Sequence, residues 1–165
     1  MNRTRTFSWD DPTVVQANLQ RMSGLDFLTG VAAGEFPPPP MARLMNIRLT
    51  NVERGRVIFE GTPEEYHYNP LGVVHGGMAA TLLDSALGCC VNSHLEAGDF
   101  YTTLELKVNY LRAITLATGT VRAIATTVHI GRSTALVEGR ILDAADRVHA
   151  YATSTCLIRR AGSAS

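Results

Sequence analysis

The chain has little charge and no runs of it. Its 165 residues carry fifteen basic and fifteen acidic side chains, scattered, for a net charge of zero and a pI near 7. Nucleic acid therefore has no electrostatic footing, and neither does an anionic membrane surface. Only a local basic pocket for a phosphorylated small molecule stays open. Cysteine is scarce as well: Cys89 and Cys90 are adjacent and Cys156 stands apart. There is no Cys-x-x-Cys and no even set for a disulfide framework, so small buried thiols in a reducing, cytoplasmic setting are expected. Residues 1–10 are polar and lack the apolar core of a secretory leader. The one long apolar run, Leu71 to Val91, holds His75, Asp84 and four glycines. It reads as a buried helix of a globular domain, with no membrane partner.

The elements follow from pattern. Asp11-Pro12 marks a helix start, with Val15, Leu19 and Met22 on one face. Leu25 to Ala33 is a second short helix ended by Gly34, and Pro37 to Pro40 is a stiff extended connector. These make an N-terminal helical arm over residues 1–41, ahead of one domain over 42–160. Leu44 to Asn51 and Arg56 to Thr62 predict a strand pair turned at Glu53-Arg54-Gly55. His75 to about His94 predicts a helix that is apolar nearly all round and so wrapped by other structure. Thr102 to Arg112 alternates, with Leu104, Leu106, Val108 and Tyr110 on one face. Thr120 to Ile130, Thr134 to Leu142 and Val148 to Ile158 follow, joined by short turns that imply an antiparallel meander. The fold class is α+β: an antiparallel sheet wrapped around a long central helix.

The chemistry concentrates between Asn69 and Asp84. Gly76 and Gly77 open the central helix and leave its first N–H groups approachable, as an oxyanion hole requires. The same glycines would equally serve tight helix–strand packing. His75 is either a general base or a group that fixes the loop. Asn69 closes a turn, and its amide could also hold water or polarise a carbonyl. Asp84 is the strongest single residue: a carboxylate among Leu82, Leu83, Ala86 and Leu87 needs a partner or a task. Eight residues separate Gly76 from Asp84, about 12 Å of helix. Base and oxyanion hole must both lie within about 3 Å of the reacting atoms. If both act, each site takes one of them from a neighbouring subunit, so a homodimer is expected. The spacing shows no metal-ligand cluster, no Gly-x-Ser-x-Gly and no cofactor motif.

The string Asn69-Pro-Leu-Gly-Val-Val-His75-Gly76-Gly77 with Leu82-Leu83-Asp84-Ser85-Ala86 resembles the hotdog-fold acyl-CoA thioesterases of the phenylacetate-degradation (PaaI) type. So do Thr102 to Arg112 and the arm from Gly24 to Pro40, which extends the similarity over about residues 20 to 158. The resemblance implies hydrolysis of a coenzyme A thioester without a cofactor, by a homodimer or homotetramer. It puts the thioester carbonyl on the Gly76 N–H, with Gly77 beside it. Asp84 of the partner subunit is base or nucleophile, and Asn69 and His75 line the thioester. A third-strand hydroxyl assists the attacking water. The family register points to Thr103, whereas strict alternation turns Thr102 towards the helix. Arg132, with Ser133 and His129 in the next hairpin, would meet the nucleotide of coenzyme A. Leu83, Leu87 and Phe36 fit an acyl pocket. One departure is Ala113, where the family often has proline. Two rivals remain: an enoyl-thioester hydratase using His75 and Asp84, and a non-catalytic acyl-CoA-binding module.

Overall fold

The computed structural model describes residues 2–162, so Met1 of the arm lies outside the described residues. The arm begins with α1 (Pro12–Leu19), where the Asp11 side chain caps the Thr13 N–H. It continues with α2 (Gly24–Ala33), capped by Ser23 and closed by Gly34 at φ 80°, a left-handed position that favours glycine. A third helix, α3 (Pro40–Met45), stands where an extended connector and a strand start were expected. Pro40 sits at its first position, where a fixed φ and a missing N–H favour helix. Leu44 and Met45 are therefore helical, Asn46 turns the chain at φ 53°, and the sheet starts one residue later.

Six strands form one antiparallel sheet: β1 (Ile47–Glu53), β2 (Arg56–Gly61), β3 (Phe100–Tyr110), β4 (Val121–Ile130), β5 (Thr134–Leu142) and β6 (Val148–Arg159). Their spatial order is β1-β2-β4-β5-β6-β3. The β4–β5–β6 meander is as the turns imply. β3 departs from it: residues 111–120 carry the chain across, and β3 lies on the far edge beside β6. The long helix α4 (Gly76–Asn92) crosses the sheet. Leu82, Leu83, Ala86, Leu87, Cys90 and Val91 on α4 are all 0% exposed. This is the hotdog architecture.

The face of the sheet beneath α4 includes several small residues, among them Ala123, Ala125, Gly139, Ala150 and Ala152. A Cβ at Gly139 would lie 3.2 Å from the Leu87 side chain, so the glycine sets how close helix and sheet come. The arm is docked just as closely. A Cβ at Gly24 would sit 1.8 Å from the Asn92 carbonyl oxygen, and the Gly24 N–H donates to the Leu95 carbonyl. The start of α2 is thereby fixed to the end of α4, and Phe27 and Leu28 join the core.

The alternation of β3 is broken by a bulge. Thr103 pairs with Cys156 and Glu105 with Thr155, so Leu104 is an extra residue. A bulge inverts the facing of everything before it. Leu104 is turned outward and 58% exposed, against the expectation that it shares a face with Leu106. Thr103, not Thr102, points to the helix.

Candidate active site

The loop before α4 is built to deliver its first turn. The Asn69 side-chain oxygen accepts from the Leu71 N–H at 2.9 Å and the Val73 N–H at 3.5 Å. Its acceptor is thus used by the turn, and only its NH2 remains to meet a ligand. Tyr68 bridges to Val74, and the His75 N–H donates to the His67 carbonyl. His75 becomes the N-cap of α4: its Nδ1 accepts from the Gly77 N–H at 2.8 Å. That bond leaves Nε2 to carry the proton of the neutral ring, facing outward as a donor. Gly77 is therefore already paired. The Gly76 N–H is the one left open in this turn among the described residues. Tyr110 packs over Gly76, with its hydroxyl donating to the Gly76 carbonyl at 3.2 Å. A Cβ at Gly76 would come within 3.1 Å of that ring. His75, Gly76, Tyr110, Arg112 and Ile114 line a recess of about 390 Å³.

Two turns further along α4, the half-buried Asp84 accepts a hydrogen bond from Thr103 Oγ1 at 3.0 Å. Neither neighbour on the helix competes for it. The Ser85 hydroxyl donates to the Thr81 carbonyl, and the Thr81 hydroxyl to the Gly77 carbonyl. Asp84 and Thr103 open on a cavity of about 900 Å³, walled by Phe27, Val31 and Phe36 of the arm. Phe36 thus lines it as expected, whereas Leu83 and Leu87 do not: both are sealed against the sheet. Cys89 lines the cavity too. Burial, then Cys90 and Asp84, push its thiol up to about 12, so it is no thiolate nucleophile near neutral pH.

A third group stands apart. Arg132 and Ser133 in the β4–β5 hairpin share a recess of about 470 Å³ with Arg159 and Arg160 at the end of β6. Arg160 is paired with Asp99 at 2.8 Å. The exposed His129 lies beside the same hairpin. The Arg159-Arg160 pair was legible in sequence only as two basic residues after a strand. Its nearness to Arg132 depends on β5–β6 pairing. In a single chain, then, the helix entry, the carboxylate and the arginines face three separate cavities.

Residues 71–150 match the model of the thioesterase superfamily. Over that stretch, just under half of the chain, the sequence is similar to the thioesterase superfamily. The matched stretch contains both the open helix N-terminus and the Asp84–Thr103 pair of this thioesterase. It is 26% identical over 116 residues to a 1,4-dihydroxy-2-naphthoyl-CoA hydrolase of Listeria monocytogenes, across 70% of this chain and 93% of the relative. Its fold is similar to that of a phenylacetic acid degradation-related protein of Ralstonia eutropha JMP134. The TM-score there is 0.72 at 28% identity, covering 79% of this chain and 98% of that one. The phenylacetic acid degradation protein PaaI of Thermus thermophilus, in the structure of a point mutant, shares the fold at a TM-score of 0.66 and 22% identity. That match covers 72% of this chain and 98% of the other. Among the described residues, no helix of the thioesterase is long and apolar enough to cross a membrane.

Proposed function

We propose that this thioesterase hydrolyses an acyl-CoA or aryl-CoA thioester to the free acid and coenzyme A, in sites shared between two subunits. One observation carries the proposal: a helix N-terminus with an open N–H and a hydroxyl-bonded carboxylate lie on one helix but in different cavities. Gly76 of one subunit polarises the thioester carbonyl, where negative charge develops during attack. Gly77 holds His75 in place. The outward Nε2–H of His75 and the NH2 of Asn69 line the thioester as donors. Asp84 of the other subunit takes a proton from water or attacks the carbonyl itself. Thr103, hydrogen-bonded to it, holds the carboxylate and the attacking oxygen in register. The departing thiolate leaves as coenzyme A. Arg132, Ser133 and His129 meet the nucleotide, the guanidinium fork suiting phosphate oxygens. The assembly is a homodimer, extending to a homotetramer, working in the cytoplasm. The Listeria relative's aryl-CoA substrate supports the reaction class.

Subunit complementation tests it. Gly76→Pro deletes the open donor at the first helix position, where the backbone admits proline and Tyr110 must give way by a few tenths of an ångström, so circular dichroism confirms the fold; Asp84→Asn deletes the base. Each variant alone should release almost no free thiol. Mixed and refolded together, they form heterodimers holding one intact site, and turnover should return. Absence of recovery in heterodimers confirmed by mass would overturn the shared site. Tight binding of thioesters by wild type without turnover would favour the non-catalytic module.

A further inference from the structure

Helix α4 carries a glycine in its middle, Gly88, where alanine would be the more favourable helix residue. The space it leaves is filled by one group. A Cβ at Gly88 would stand 2.6 Å from the Tyr101 hydroxyl oxygen and 2.9 Å from its ring. Tyr101 is half-buried, and its hydroxyl has no hydrogen-bond partner among the described residues, which leaves it able to meet a ligand. Tyr101 lies on the same cavity as Asp84 and Thr103. Burial, then Cys89, Cys156 and Asp84, hold the phenol well above its usual value, so it stays protonated and both donates and accepts.

The depth of this group is set twice. Gly88 lies four residues beyond Asp84, about 6 Å along the helix. Tyr101 lies two residues from Thr103, about 7 Å along the strand. That is the reach from a carboxyl carbon to a substituent on the far side of a six-membered ring. The walls around it are apolar and partly flat: Phe27 and Phe36 stack at 5.8 Å and 13°.

We propose that Tyr101 is a specificity-determining residue, whose hydroxyl hydrogen-bonds a polar substituent on the acyl group about one ring's length beyond the thioester carbonyl. The inference rests on Asp84 marking the reacting centre, as argued under Proposed function. The closely matched pair benzoyl-CoA and 4-hydroxybenzoyl-CoA tests it. Wild type should favour the hydroxylated thioester in kcat/KM by about tenfold, the worth of one hydrogen bond. Tyr101→Phe should lose that factor on the hydroxylated substrate and keep its rate on the other. Gly88→Ala, which displaces the hydroxyl while keeping it, should erase the same preference. Equal losses on both substrates would overturn the proposal and move Tyr101 to the reacting centre. An unchanged ratio, or turnover of straight-chain thioesters alone, would overturn it while leaving the thioesterase reading intact. No thiol release from any thioester would bring down that reading, and the role of Tyr101 with it.

Discussion

Asp84 and Thr103 meet because β3 contains one residue more than β6 opposite it. The pair makes two linked predictions. Asp84→Asn should keep the fold and lower kcat by about 10²–10⁴, the range for a general base. Thr103→Val, nearly the same shape without the hydroxyl, should lower kcat by about tenfold, one hydrogen bond to a charged group. Free-thiol release checks both, with circular dichroism to confirm folding. A Thr103→Val enzyme at wild-type rate would reduce the hydroxyl to packing. The two residues were not equally legible. Asp84 stands out locally, a carboxylate bounded by leucines and alanines. Thr103 does not, because the choice between it and Thr102 depends on where a bulge falls. A bulge is a property of two paired strands, and local alternation pointed to the wrong threonine. His75 was ambiguous for a similar reason: only the 2.8 Å bond to Gly77 shows that its Nδ1 is used as a cap.

At the scale of elements, α4 was plain from its all-round apolarity, and the four later strands from their alternation and turns. The order of those strands was not. Nothing in residues 100–110 says that they will pair with β6 instead of β4; that follows from the crossing of residues 111–120 and from how α4 divides the space. Helix α3 was hidden too, because a proline run reads as extended chain until its last member opens a helix. The helix–sheet contact predicts its own sensitivity. Leu87→Ala removes a fully buried side chain over Gly139 and should cost about 2–5 kcal/mol by denaturant titration. A loss below about 1 kcal/mol would mean that the helix relaxes onto the sheet and fills the gap.

The whole molecule has a built-in response to acid in the β5–β6 turn. Asp143 is buried and accepts from the Ala145 and Arg147 N–H groups, from Arg147 Nε at 2.7 Å and from His149 Nε2 at 3.1 Å. Burial by itself would raise its carboxyl. The bonds from His149, then Arg147 and Ala145, outweigh that and hold it well below the ordinary 3.8. A depressed carboxylate contributes stability above its unfolded value and loses it as pH falls below that value. Wild type should therefore lose Tm as the pH is taken below about 4. Asp143→Asn should melt lower at neutral pH and show a flatter acid dependence. Parallel acid slopes in the two proteins would place the acid sensitivity elsewhere. Among the described residues, β3 is an edge strand whose outer row of backbone groups has no strand beside it.

That same edge position has a consequence in time. A chain emerging from the ribosome makes Asp84 and Thr103 early, but among the described residues the sheet partner of β3 is β6, which is synthesised after β4 and β5. The bulge that turns Thr103 inward is defined by pairing with Thr155 and Cys156. Until those residues leave the exit tunnel, β3 has no neighbour to set its register. Helix α4 can rest on β1, β2, β4 and β5 beforehand, so the part of the core outside β3 and β6 can assemble before the hydroxyl reaches the carboxylate. A nascent chain stalled before residue 148 would be largely collapsed and still lack its Asp84–Thr103 bond.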